Sequence, residues 1–526
     1  VFKSNIRERS IPGRYTLIAK VATATVYGIN GIKIDVEVDI TYGLPAFNIV
    51  GLPETSVRES KERVRSAIKN AGFEFPGDRI TINLAPADVR KEGSTFDLPI
   101  ALGVLAAMGV FKKESLRGHL IAGELSLDGR IKPVRGILPI ATLARSEGID
   151  RVIVPCSNGK EASIVRDITV FGADHLLEIF HYLKGEAGLT IFNADEHCEG
   201  SAAVGEDVDF SDISGQAQAK RALEIAAGGA HNLLMVGPPG SGKTMLARRL
   251  PTILPALNYT EAVETTKIHS IAGLLGTEKS LMMIRPFRAP HHSISDAGLI
   301  GGGHVPRPGE VSLAHNGVLF LDEFPEFRRH VIDGLRQPME DGSVTVSRVN
   351  HTITFPARFM LVAAMNPCPC GYFGDRKRAC TCSGTQIYKY RSRISGPLLD
   401  RIDIHIEVPP VAIRELAVDR REESSGNIRT RVTTARAIQG ERFKEKKYHA
   451  NSQMPARAIR KYCPLGKAAE SMLEAAIDKW GLSPRAYHRI LKVARTIADL
   501  EGSDGINEGH IAEAIRYRAL DRRLAM

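Results

Sequence analysis

The sequence predicts an α/β protein of several domains, and three observations carry that expectation. The chain has 526 residues, more than one hydrophobic core serves, so about two to four domains are expected. Short apolar runs that read as strands alternate with helical-length stretches through most of the chain. Near its middle, a strand, a glycine-rich loop and a helix follow one another directly. Hydrophobic residues make up 43% and charged residues 25%, the balance of a soluble globular protein. No apolar run reaches the roughly 18 residues that cross a bilayer. The basic start, VFKSNIRERSIPGRY, lacks the apolar stretch of a secretory signal. A cytoplasmic protein with no membrane partner is expected.

In chain order, residues 1–14 read as a tail and 15–190 as a mixed α/β domain. Ile32–Ile40 alternates like a half-buried strand. Ser56–Gly72 reads as a charged amphipathic helix closed by its glycine. RITINLAP is a further strand, FDLPIALGVLAAMG a buried helix and RVIVP a short buried strand. Composition then turns acidic and small over Asn193–Phe210, which places a linker at 191–208. A second α/β block covers 209–410, and a charged, helix-rich segment without strand pattern covers 411–526.

The strongest chemical signal is NLLMVGPPGSGKTMLARRL. An apolar strand, Leu233–Val236, enters Gly237-Pro238-Pro239-Gly240-Ser241-Gly242-Lys243-Thr244, and a helix follows. This is a P-loop in the context it requires. Its glycines let backbone N–H groups turn toward phosphate oxygens, and the helix N-terminus adds partial positive charge. Lys243 would reach the β- and γ-phosphates of ATP, and the Thr244 hydroxyl would bind Mg²⁺. NGVLFLDEFPEF supplies the matching carboxylates. A buried strand ending in Asp322 and Glu323 sets Asp322 to hold Mg²⁺ and Glu323 to polarise the attacking water.

Of three further residues, Asn366 and Arg401 admit two readings each and Arg485 one. Asn366, at the tip of the strand RFMLVAAMNP, is either a strand-ending Asn-Pro turn or a positioner of water at the γ-phosphate. Arg401 in SGPLLDRIDIHIEV is either a surface ion-pair partner or an arginine finger inserted into a neighbouring subunit's site. Arg485 opens the helix of GLSPRAYHR, from which a lid domain can swing an arginine over bound nucleotide. The adjacent His291 and His292 do not converge easily on a metal and no third ligand is evident, so a structural or loop role is expected.

Seven cysteines are present, four of them in MNPCPCGYFGDRKRACTC. An odd count at uneven spacing, in a reducing compartment, argues against disulfides. Cys368, Cys370, Cys380 and Cys382 can close a tetrahedral Zn²⁺ site; the alternative is a reduced, metal-free loop. The loop between the pairs carries Arg376, Lys377 and Arg378 after Tyr372 and Phe373, a set able to grip phosphates and stack on bases. Cys156, Cys198 and Cys463 have no assigned role. The net charge of +10 suits a polyanion partner such as DNA, or a merely basic enzyme.

These elements in this order resemble the AAA+ ATPases, and more narrowly the clade of the magnesium-chelatase motor and the MCM helicases. FSDISGQAQAKRALEIAAGGAHNLLMVGPPGSGKT and RPGEVSLAHNGVLFLDEFPEF are similar to the chelatase-type ATPases almost throughout. The resemblance implies chelatase/MCM-type β-hairpin insertions, one of them Gly342–Phe359 with Arg348 and His351 as candidate DNA contacts, and a helical C-terminal lid domain. GLPAFNIVGLPETSVRESKERVRSAIKNAG and IAGELSLDGRIKPVRGILPI resemble the Lon proteolytic domain, which implies a Lon-protease-like α+β N-terminal domain. In KEGSTFDLPIALG, Thr95 stands at or beside that family's nucleophile, Asp97 where it has glycine, and Leu138 near its lysine. An inactive protease domain is expected. The domain order resembles the YifB/ComM family of magnesium-chelatase-like ATPases. That implies a hexameric, ATP-driven motor on single-stranded or branched DNA, a helicase or branch-migration factor in recombination and natural transformation. The other classes are a magnesium-chelatase motor subunit and an ATP-driven protein-remodelling module.

Overall fold

The computed structural model describes residues 18–193, 208–276, 281–303, 306–348, 351–375, 378–410, 422–446, 448–481 and 483–518. The expected tail and most of the expected linker lie outside these residues. The chain forms two compact units, residues 1–200 with 269–281, and residues 201–268 with 282–526.

The first unit is built on ten strands: β1 Ala19–Tyr27, β2 Asn30–Thr41, β3 Ala46–Val50, β4 Arg79–Ala85, β5 His119–Ile121, β6 Glu124–Leu125, β7 Ile131–Lys132, β8 Arg151–Pro155, β9 Thr169–Ala173 and β10 Thr190–Phe192. Eight of them make one sheet in the order β10-β9-β8-β5-β1-β2-β4-β3. The centre is antiparallel, β1 on β2 and β2 on β4, whereas β1, β5, β8 and β9 run parallel. The alternation along β2 buries Ile34, Val36 and Val38 completely and turns their neighbours outward, as a sheet with one covered face requires. The cover is the helix Asp97–Ala107, in which every residue is buried. It comes close because Gly103 has no side chain: a Cβ there would lie 2.6 Å from Val38 Cγ2.

Asp97, at the start of that helix, accepts from Arg63 Nε at 2.6 Å and from the Ser60 hydroxyl. Leu138 is buried and its backbone N–H donates to Glu161 Oε1 at 2.9 Å. The buried amine nearest Thr95 in sequence, Lys91, donates to the Pro86 carbonyl.

In the second unit the strands are β11 Leu233–Val236, β12 Phe287–Arg288, β13 Gly301–Gly302, β14 Arg307–Pro308, β15 Val318–Leu321, β16 Ser343–Arg348, β17 His351–Pro356, β18 Met360–Met365 and β19 Ile404–Glu407. A parallel sheet runs β12-β15-β18-β11-β19. All residues of β11, β15 and β18 are buried, because crossover helices cover both faces and leave no polar side to alternate. β13 with β14, and β16 with β17, form separate hairpins. The second buries Val344, Val346, Ile353 and Phe355 on one face and pairs Thr345 with Thr354 and Ser347 with Thr352 on the other. The helices Ser425–Arg442, Ala456–Tyr462, Lys467–Trp480, Pro484–Leu500 and Glu508–Arg516 follow. They do not make a core of their own: Val432, Leu473, Ile490 and Ile511 belong to the same buried cluster as Leu233, Phe320 and Val362 of the sheet. The helical segment expected over 411–526 is therefore continuous with the α/β block in its packing.

Candidate nucleotide site and cysteine centre

Strand β11 delivers the phosphate loop to the C-terminal edge of the parallel sheet, where such folds bind ligands. The loop is fastened from below by the bond from Gly237 N–H to the Met365 carbonyl at 3.2 Å. A side chain at Gly237 would collide with the Val408 carbonyl at 2.2 Å. Gly240 and Gly242 have φ of +75° and +88°, left-handed values that glycine adopts without strain. The helix Lys243–Ile253 starts directly after them. Lys243 is buried, and its ammonium donates to the carbonyls of Gly237 at 2.7 Å and Pro238 at 2.9 Å and to Asn366 Oδ1 at 3.3 Å. Burial lowers its pKa, and the Asp322 carboxylate opposes that shift. Those three acceptors hold the cation where phosphate oxygens would replace them.

Thr244 Oγ1 donates to Asp322 Oδ2 at 2.6 Å. The two expected magnesium ligands, carried by a helix and by the end of β15, thus converge. A hydroxyl and a carboxylate oxygen are the hard donors that Mg²⁺ takes, and the buried Ser241 hydroxyl inside the loop has no hydrogen-bond partner among the described residues. The donor set fits MgATP. Glu323 follows with φ +51°, a left-handed turn that swings its carboxylate off the strand into the open. His292 Nδ1 lies 3.3 Å from Glu323 Oε2, with its ring edge-on to Phe327. The sequence reading gave the histidine pair no such role; the two residues meet only because β12 and β15 are neighbours in the sheet.

Gly237 to Thr244, Asp322, Glu323 and Asn366 are therefore brought together, and Arg401 and Arg485 are not. Arg401 precedes β19, which pairs in parallel with β11 from Ile404 opposite Leu233 to Glu407 opposite Val236. It thus lies beyond the N-terminal edge of the sheet, the edge opposite the phosphate loop. There its guanidinium pairs with Glu340 at 2.5 Å and donates to the Pro397 carbonyl at 2.6 Å. Arg485 is exposed in the first turn of Pro484–Leu500. One turn on, Arg489 pairs with Asp403 at 2.8 Å at that same N-terminal edge. Asp403 also faces His231 Nδ1 at 3.2 Å, whose Nε2 meets Thr496 Oγ1 at 2.7 Å, a buried chain from sheet to C-terminal helix. Burial would raise the Asp403 carboxyl, but Arg489 and His231 outweigh it and hold it well below the usual range. Burial lowers the His231 pKa.

The four clustered cysteines do converge. Sγ–Sγ distances are 3.3 Å for Cys368–Cys370, 3.6 Å for Cys368–Cys380 and 3.5 Å for Cys370–Cys380, and all four sulfurs lie within 4.8 Å of one another. Tetrahedral Zn–S bonds of about 2.3 Å place sulfurs about 3.8 Å apart, so the set fits zinc. Backbone N–H groups of Phe373 and Cys370 donate to Cys368 and Cys382 sulfurs at 3.3 and 3.4 Å, and those of Tyr372 and Thr381 draw the Cys370 thiol down to about 5. Arg378 is exposed, stacks over Tyr372 at 5.1 Å and donates to its hydroxyl at 2.8 Å. Arg376 and Lys377 lie outside the described residues. So do the side chains of Arg348 and His351, whose backbones close the β16–β17 ladder.

A parallel sheet in this order, with the phosphate loop after β11 and paired acids after β15, defines a nucleotide-binding domain of the AAA+ type. Residues 209–416 match the family described as magnesium chelatase, subunit ChlI, residues 36–158 its companion described as subunit ChlI of Mg-chelatase, and residues 422–518 the ChlI C-terminal family. The chain is 47% identical over 514 residues to the competence protein ComM of Haemophilus influenzae, covering 96% of this chain and 98% of that one. It is 45% identical to the YifB protein of Escherichia coli, with 96% and 97% covered. The 38 kDa magnesium-chelatase subunit of Cereibacter sphaeroides is 24% identical over 344 residues, 60% of this chain and 91% of that subunit. The chain belongs to the ComM/YifB group of the magnesium-chelatase-like AAA+ family. No helix among the described residues is long and apolar enough to cross a membrane.

Proposed function

We propose that this chain is an ATP-hydrolysing motor on DNA, working as a closed ring of copies, hexameric as the family resemblance implies. The observation that carries the reading is the opposition of the two sheet edges. Lysine, threonine, the two acids and Asn366 gather at one edge, while Arg401 and the start of the Arg485 helix stand at the other. Neither arginine serves its own chain's phosphate loop, so each would complete the site of a neighbour. A head-to-tail contact of that kind closes into a ring when the rotation between successive copies completes a full turn, which is the arrangement proposed here.

In the proposed cycle Lys243 leaves its two loop carbonyls and Asn366 for the β- and γ-phosphates of ATP. Thr244 and Asp322 would hold Mg²⁺, which neutralises charge on the transferring phosphoryl group. Glu323 accepts a proton from the attacking water, with Asn366 positioning that water, and the neighbour's Arg401 stabilises charge on the departing group. Phosphate loss would then move the C-terminal helices and the β16–β17 hairpin, whose residues Arg348 and His351 are the proposed DNA contacts. Arg376, Lys377 and Arg378 on the cysteine loop would add phosphate contacts, and the four cysteines would hold Zn²⁺ in a closed structural site. The Lon-like unit is read as non-proteolytic, since Leu138 replaces the lysine and Asp97 is committed to Arg63 and Ser60. The ComM relative's competence role favours branch migration as incoming single strands are integrated into the chromosome, in the cytoplasm.

A chelatase-type motor is the second reading, favoured by the family matches. Steady-state ATP hydrolysis with single-stranded DNA, branched DNA or no DNA separates the two. DNA stimulation supports the DNA motor, and its absence with hydrolysis intact supports the chelatase-type or protein-remodelling class.

A further inference from the structure

The turn that carries the first two cysteines lies against the phosphate loop. Past Asn366 the chain makes a tight turn, with Gly371 N–H bonded to the Cys368 carbonyl at 3.0 Å. Gly371 is buried at φ +87°. A Cβ built there would sit 2.6 Å from Pro239 Cδ and 2.8 Å from Cγ, so only glycine allows this approach to the third residue of the loop. The second pair, Cys380 and Cys382, leads through the capping residue Ser383 into the helix Gly384–Arg391. The last residue of that helix, Arg391, stacks over Phe373 at 5.2 Å and donates from Nε to the Pro367 carbonyl at 3.2 Å. The thiol cluster therefore ties a helix on one side to a turn resting on Pro239 on the other.

We infer that the cysteine centre belongs to the nucleotide site: bridged by zinc, the four thiolates pin Gly371 against Pro239 and keep the phosphate loop in its phosphate-accepting shape. Zinc and nucleotide then bind cooperatively, and the coupling is reciprocal. The factor by which zinc tightens nucleotide equals the factor by which nucleotide tightens zinc. This rests on the zinc reading above and goes beyond it, since a metal that only braced its own loop would leave nucleotide affinity unchanged.

The test uses the full chain as purified under reducing conditions. Metal content is measured by mass spectrometry, and zinc is then removed with a chelator and restored. A fluorescent ADP analogue is titrated into the loaded, stripped and restored protein. Zinc affinity is measured against a chromophoric chelator with and without ADP. The expected result is one zinc per chain, an ADP-analogue Kd weaker by on the order of tenfold after stripping, recovery on restoration, and the same factor in the zinc titration. Gly371→Ala retains its zinc and shows the weakened Kd without any chelation, which separates coupling from general damage by metal loss. One zinc per chain, with equal Kd in loaded, stripped and Gly371→Ala protein, overturns the coupling and leaves the zinc reading intact. No zinc at any stage overturns both.

Discussion

Arg401 offers the sharpest prediction. Strand β19 alone spans about 10 Å at 3.3 Å per residue, and Arg401 precedes it, with its guanidinium held by Glu340 and the Pro397 carbonyl. Reaching its own chain's γ-phosphate would mean passing the full depth of the sheet. Arg401→Ala breaks a pair whose acid is half exposed, at 51%, while the arginine itself is only 13% exposed and also gives up its bond to the Pro397 carbonyl, so the fold loses about 1–3 kcal/mol. An arginine acting on transition-state charge contributes about 10³–10⁵ in rate, roughly 4–7 kcal/mol. The variant should therefore melt somewhat below the wild type, stay folded, and hydrolyse almost no ATP. The decisive assay mixes it with Lys243→Ala, which is expected to be inactive as well. At equal amounts about one interface in four pairs an intact lysine from one copy with an intact arginine from its neighbour. Recovered hydrolysis near a quarter of the wild-type rate is expected. If Arg401 worked within its own chain, no mixed ring would contain a working site, and a mixture as dead as its components would refute the reasoning.

Other outcomes follow from the same geometry. His292→Ala frees the exposed Glu323 from a half-buried partner; partly exposed pairs contribute about 0.2–1 kcal/mol, so DNA-free hydrolysis should rise by up to about fivefold, and a fall would show that His292 assists the glutamate. Leu473 is fully buried in the core shared by the C-terminal helices and the sheet. Leu473→Ala should cost about 2–5 kcal/mol, and urea should abolish helical signal and ADP-analogue binding at the same lowered midpoint; an unmoved binding midpoint would contradict the shared core. His231 is held neutral by burial, with its pKa below the ordinary value near 6.5. The unfolded chain therefore takes up that proton first, so stability is full above about pH 6.5 and declines as pH drops below it. The depressed Asp403 carboxyl has the same sign, its contribution persisting to lower pH. Thermal scans should show Tm decreasing from pH 7 to 5, with a shallower slope in His231→Gln; equal slopes would remove His231 as the cause.

Much of the nucleotide edge was legible from sequence because parallel strands covered on both faces leave uninterrupted apolar runs. Leu233–Val236 and Val318–Leu321 have the expected bounds, and each run ends directly in the residues that carry chemistry. Local spacing also placed Cys368, Cys370, Cys380 and Cys382, since two C-x-C turns need only one fold-back to meet. What could not be read depends on which strands become neighbours. His292 reaches Glu323 because β12 lies beside β15, and Gly371 reaches Pro239 because β18 lies beside β11. No local pattern encodes either adjacency. Residues 269–281 group with the first unit although no change of composition marks them. The C-terminal helices are rich in charge, and their sequence does not show that Val432, Leu473, Ile490 and Ile511 pack into the same core as the sheet. In Asp97 the sequence showed a departure from the Lon pattern, but not that Ser60 and Arg63, on the preceding helix, had claimed the carboxylate.

The most direct test of the motor itself is the ATP hydrolysis rate of the purified chain with and without single-stranded and branched DNA, for wild type and Glu323→Gln. Hydrolysis that DNA accelerates, lost in the variant while the ADP analogue still binds, is the predicted result. A wild-type protein that turns over no ATP, or whose rate ignores DNA of every form, would contradict it.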